Sequence, residues 1–193
     1  MKFSPSLITL VAAGLFAGSS FALTDTEYKA EKDRIEAQYK SAKQHCDTLK
    51  GNAEDVCEKE AKGAERVAKA ELEARKDPSE RNLAKVRTEK ADAAYEVAKE
   101  KCDDLEGNAE DVCEKDAKAA HVKALEEAKV VKASEKHADT PAERRANVAE
   151  ARKDAAAETR EAQYKAAAER CDTMSGAQKD ECVADAKLKF GQQ

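Results

Sequence analysis

Six cysteines are the residues of this chain best suited to chemistry, and they fall into three pairs with ten residues between partners. "CDTLKGNAEDVC" runs from Cys46 to Cys57. "CDDLEGNAEDVC" runs from Cys102 to Cys113, and a looser copy, "CDTMSGAQKDEC", from Cys171 to Cys182. A cysteine pair can cycle between thiol and disulfide, ligate a metal, or staple the chain. Redox pairs usually take the form Cys-x-x-Cys at a helix start, where a thiolate is stabilised. Zinc ligation is disfavoured for paired cysteines in an exported chain. The spacing therefore predicts three structural disulfides.

Helix geometry says how they close. In one straight helix, eleven residues rise about 16 Å, whereas a disulfide needs Cα atoms about 5.5–6 Å apart. Folding the chain back at Gly51-Asn52 brings Cys46 and Cys57 face to face across an αα-hairpin. The same reasoning pairs Cys102 with Cys113 and Cys171 with Cys182. It also places Ala42 opposite Ala61, Ala98 opposite Ala117 and Ala167 opposite Ala186, so small residues let the helices approach. Tyr39, Tyr95 and Tyr164 each lie seven residues before a first cysteine, and Tyr28 and Ile35 extend the same seam in the first helix. All are expected to be packing residues. In the third copy Tyr164 meets Lys189, and that hairpin is expected to fray.

The other candidate groups carry no site pattern. His45 precedes Cys46 where Lys101 and Arg170 precede the later cysteines, and a basic residue there complements a helix C-terminus. His121 and His137 have no spaced partner. Acids lie three or four positions from bases, as in Glu31–Arg34 and Glu126–Lys129, which marks a solvated helix surface. Asp47, Asp103 and Asp172 follow the first cysteines and are expected to reach the amides opening the next helix. There is no Ser-His-Asp set, Gly-rich phosphate loop or isolated carboxylate dyad. No catalytic, cofactor-binding or metal-ligating residue is assigned, no cofactor is expected, and the chain is read as a non-enzyme.

The elements that position the cysteines are helices throughout. Ala, Lys, Glu, Asp and Arg dominate, which marks long helices or coiled coils, and scarce Gly and Pro leave them uninterrupted. Gly51 is expected at a C′ position with Asn52 capping the next helix, and Gly107-Asn108 repeats this. Ser175 and Gln178 suggest a capping box. Asp77-Pro78-Ser79-Glu80 and Thr140-Pro141-Ala142-Glu143 each read as cap, N1 proline and N3 acid. Six helices follow, near 25–49, 53–76, 78–105, 109–137, 141–174 and 177–190.

From Cys57 to Pro78 is 21 positions and from Cys113 to Pro141 is 28; from Pro78 to Tyr95 is 17 and from Pro141 to Tyr164 is 23. Matched lengthening predicts arms that lie side by side and turn back at the prolines in an up-and-down elongated bundle; the alternative is a bent rod in which Pro78 and Pro141 only kink the chain. The expected fold is all-α: elongated antiparallel helical hairpins in three disulfide-stapled repeats, near 26–76, 78–137 and 141–190, within one domain over 23–193. Only twenty Leu, Ile, Val, Phe and Met residues follow Ala22, so the core is thin and alanine-rich.

"MKFSPSLITLVAAGLFAGSSFA" has a basic residue, an apolar stretch from Leu7 to Phe16, and Ser20-Phe21-Ala22 as a small-x-small cleavage signal. It reads as a signal peptide over residues 1–22. Export permits disulfides. The net charge of −5 becomes one unit more negative when Lys2 is removed. An acidic chain without a basic block is a poor nucleic-acid binder. No later apolar run is long enough for a membrane anchor.

The signal, the opening "EYKAEKDRIEAQYK" and the "CDxLxGNAxDVC" copies together resemble a family of small exported proteobacterial proteins labelled "cell envelope biogenesis protein TolA", or TolA-like. The resemblance spans nearly all of the chain after the signal and implies an exported Ala/Lys/Glu-rich helical protein of the cell envelope. The expected function is that of a non-enzymatic periplasmic helical protein acting by contact with a protein or an envelope component. The alternative is a stress-protective or chaperone-like polyampholyte that shields unfolded clients.

Overall fold

The computed structural model describes residues 23–192; the predicted signal segment, residues 1–22, lies outside them. Six helices follow in order: α1 (Asp25–Cys46), α2 (Asn52–Lys76), α3 (Glu80–Glu100), α4 (Asn108–Glu135), α5 (Pro141–Glu169) and α6 (Gly176–Phe190). Short 3-10 turns, Lys101–Asp104 and Arg170–Thr173, finish α3 and α5. No described residue is in a strand.

The starts follow local chemistry, with two corrections. Thr24 caps α1 in a reciprocal box with Glu27, and Thr140 accepts from the Glu143 amide ahead of Pro141. At the first proline the cap is Ser79 rather than Asp77, and α3 opens at Glu80. The Asp77 carboxylate accepts from the Ser79 hydroxyl and the Asn82 side chain instead. The glycines also take another role. Gly51 (φ 59°, ψ −149°) and Gly107 (φ 60°, ψ −138°) are themselves the N-caps of α2 and α4. Asn52 and Asn108 are the first helical residues. That backbone region is nearly closed to residues with a Cβ. In the third copy Ser175 is the cap but its side chain makes no capping bond, so the expected box with Gln178 is not formed. The expected fraying of α6 is also corrected. It stays helical to Phe190 and is closed by Gly191, whose following amide bonds back to the Lys187 carbonyl.

The chain turns back at every junction, including both prolines. Each helix packs only on the helices before and after it in sequence. The architecture is therefore an open up-and-down array and not a closed bundle. All three stapled turns lie at one end, and the proline turns lie at the other. The core is as thin as the composition predicts. Its buried apolar residues are nine alanines, three cysteines, Ile35 and Leu72. Alanine lets helices close up: a Cβ added at Gly63 on α2 would lie 2.8 Å from the Ala93 Cβ on α3. Ala61, Ala117 and Ala186 are buried beside half-buried Ala42, Ala98 and Ala167. Beyond the reach of short α6, the seam of α5 turns polar. Arg160 stands where α1 has Ile35 and α3 has Ala91.

Candidate functional site

The stapled end is where the repeat concentrates its most specific residues. The three disulfides are local, Cys46–Cys57, Cys102–Cys113 and Cys171–Cys182, with Cα atoms 5.4, 5.6 and 5.7 Å apart. Cys46, Cys102 and Cys171 are fully buried, which keeps those sulfurs from solvent thiols. This placement suits a staple. Beyond each first cysteine the chain leaves the helix, and the amide of Leu49, Leu105 or Met174 donates to that cysteine's carbonyl. Leu105 and Met174 are exposed. Leu49 is half-buried, so two of the three turns present an apolar knob to solvent.

The acids after the cysteines do not take the predicted role. Asp172 pairs with Lys179 at 3.1 Å. Asp47 lies with Glu54 and Glu58, one oxygen from each within 4.8 Å of the others. Carboxylate oxygens could bind a hard cation, but Lys43 already stands 3.3 Å from Glu58. The bond to Glu58 holds the Lys43 ammonium above the ordinary lysine range. Lys99 and Glu114 repeat this bridge in the second hairpin at 3.2 Å, with Lys99 raised by Glu114.

The interfaces between repeats use contacts that sequence reasoning missed. At α2–α3, Lys59 pairs with Glu100 at 3.4 Å and Lys101 with Glu60 at 3.0 Å. At α4–α5, Lys115 pairs with Glu169 at 3.8 Å and Arg170 with Asp116 at 2.5 Å. These are the same two pairs, carried by equivalent positions of successive repeats. The basic residue before the cysteine therefore reaches the neighbouring repeat, beyond complementing its own helix end. The thirteen extra residues of the longer arms are split about Pro141, so the register at the stapled end is unchanged. Asn108 adds a bond across α4–α5, donating to the Glu169 carbonyl at 3.0 Å. A readable signal existed: opposite charges recur at matching repeat positions.

His121 also has partners. Its Nε2 lies 2.6 Å from an Asp92 oxygen on α3, so that nitrogen carries the proton in the bond. Its ring stacks on Tyr95 at 4.5 Å, and the Lys118 ammonium lies 5.3 Å from the centroid of the Tyr95 ring. These partners come from α3, with Asp92 29 residues upstream, and so carry no short sequence spacing. His137 is exposed beside Asp139. Tyr28 donates to Glu73 of α2, and that bond raises its phenol above the ordinary tyrosine range. Lys76 sits over its ring. The tyrosines thus pack as amphipathic struts.

Arg66 on α2 pairs with Glu96 and Glu89 of α3, the first holding its guanidinium above the ordinary range. A second feature lies toward the proline end. Val130, Val131, Ala155 and Ala156 line an open apolar groove of about 660 Å³ between α4 and α5, edged by Arg152 and Arg160. No described helix is long and apolar enough to cross a membrane. No protein-family model, curated protein or solved structure matches the chain.

Proposed function

We propose that this is an exported, non-enzymatic helical protein of the periplasm that acts by contact with another protein or an envelope component. The observation that carries the reading is the arrangement of three stapled turns, side by side at one end of an open array. Two of these turns present an apolar knob, Leu105 or Met174, next to acidic residues in sequence, and such a surface suits an extended partner more than a small ligand. The three disulfides favour an oxidising compartment, in keeping with the signal-like N-terminus. The TolA-like resemblance supports an envelope setting. Function resides in the surface, because helices in contact only with chain neighbours leave two broad faces to solvent.

The groove between α4 and α5 favours a second reading, a chaperone-like protein holding unfolded clients. Exposed Val131 and the neighbouring alanines offer apolar contact, and the charged rim would keep a complex soluble. Cross-linking in intact cells followed by pull-down separates the two. One defined envelope partner, lost when Leu49, Leu105 and Met174 are changed to Ser, supports contact through the stapled end. Many unfolded clients, lost with Val131→Asp, would replace it with the chaperone reading.

A further inference from the structure

The repeat plan leaves two helix faces without a neighbour among the described residues: the outer face of α1 and the outer face of α6. Their residues can be read against the two internal interfaces, since each occupies a known position in the repeat. His45 stands where Lys101 and Arg170 stand, and Asp185 stands where Glu60 and Asp116 stand. The basic–acidic pair that closes both internal interfaces is thus present in halves at opposite edges of the array. Leu188 occupies the position of Gly63 and Ala119, both buried at interfaces between repeats. It is 81% exposed, more than any other large apolar side chain among the described residues. Ala37 on α1 corresponds to Ala93, the residue that meets Gly63, and exposed Ser41 lies one turn away.

We propose that the two edges join, α6 of one copy against α1 of a second, in the register of the internal α2–α3 and α4–α5 interfaces. In that register Asp185 meets His45 of the second copy, and Leu188 enters the shallow small-residue surface at Ala37 and Ser41. Lys40, at the position of Glu96, faces the C-terminal end of α6, where a cation is favoured. Ala184 and Gln44 replace the Lys59–Glu100 pair, so that contact is neutral and the junction is weaker than an internal one. Only the 15 residues of α6 overlap α1, which places the contact at the small end of protein interfaces. The contact is heterologous: a dimer keeps one unused edge of each kind, so association continues past the dimer. This inference rests on repeat register and not on the envelope-contact reading, and either stands if the other fails.

The test is sedimentation of purified oxidised protein over a concentration series reaching about 1 mM, so that association with a Kd up to about that value is read. Leu188→Glu blocks the α6 edge, and Ala37→Trp blocks the α1 edge. Both positions are exposed, and circular dichroism checks that each variant keeps its helices. The expected result is a mass that rises steadily for the unmodified chain and stays monomeric for each variant alone. An equimolar mixture of the two variants forms a dimer and nothing larger, because one intact edge of each kind remains. An unmodified chain that stays monomeric throughout overturns the proposal. So does a Leu188→Glu chain that associates as before, or a variant mixture that fails to pair.

Discussion

Glycine is the residue whose exchange separates backbone strain from crowding in this fold. A Cβ at Gly107 would meet no atom within 4 Å, yet its backbone lies where a Cβ is strained. Gly107→Ala is expected to cost about 1–3 kcal/mol, read as a fall in melting temperature with the disulfides intact. Gly63 has ordinary helical surroundings, but α3 lies against it. Gly63→Val is expected to cost about 1–3 kcal/mol through overpacking, and to weaken α2–α3 without disturbing the turn. A neutral result at Gly63 would show that the helices can slide apart freely. Acid acts at another set of residues. Asp25, Glu27 and Glu31 are held below the ordinary carboxylate range by Lys76, Thr24 and Arg34 respectively. Lowered carboxylates stabilise the fold above the unfolded range and lose that contribution as pH falls through the folded value. Below about pH 4, the start of α1 should fray before the rest. Faster hydrogen exchange confined to its first turns is the expected signature, and a uniform rise along α1 would contradict it.

At the scale of elements, the hairpins depend on their staples and the repeats on their ion pairs. Each disulfide closes a short loop and is worth roughly 3 kcal/mol in the chain-entropy model. Full reduction is expected to lower the melting temperature while leaving most of the helical signal at low temperature, since alanine-rich helices have favourable propensity. An unchanged melting temperature would mean that packing alone holds the hairpins. The pairs between repeats are partly exposed, so each is worth about 0.2–1 kcal/mol. Asp116→Arg sets two cations together and should destabilise α4–α5 by at least that amount. Adding Arg170→Asp should recover most of the loss. A double variant as unstable as the single one would show that the pair does not couple the repeats. The cysteine pairing was legible because spacing and helix rise leave one local solution. The His121–Asp92 contact was not, because its partners come from another helix and depend on rotation about both axes.

The whole molecule is wide as well as long. The longest helix, α5, has 29 residues and spans about 44 Å at 1.5 Å per residue. Six helices at interaxial distances of about 8–10 Å make an array of similar width. Small-angle scattering of dilute oxidised protein is therefore expected to give a maximum dimension near 70 Å. A monomer reaching about 100 Å would mean that the proline junctions extend the chain, as a rod of hairpins laid end to end requires. Dilution matters because edge-to-edge association would lengthen the particle in the direction of the array.

Local rules settled much of this protein before any tertiary contact. Helical propensity set the class, three equal cysteine spacings set the hairpins, and the two prolines with matched arms set where the chain turns back. Each depends on residues close in sequence, whose geometry follows from helix rise and allowed backbone angles. Tertiary structure decided the rest. That Gly51 caps α2 instead of closing α1 depends on where α1 stops, at Cys46, once the sulfur is tied down. That the array is open depends on each helix packing only on its chain neighbours, so that the outer faces of α1 and α6 do not meet within one copy. Whether Lys101 and Arg170 serve their own helix ends or the next repeat is a matter of the distance between axes. That distance is set by alanine and glycine packing across the interface, a property of two helices together that neither segment carries alone.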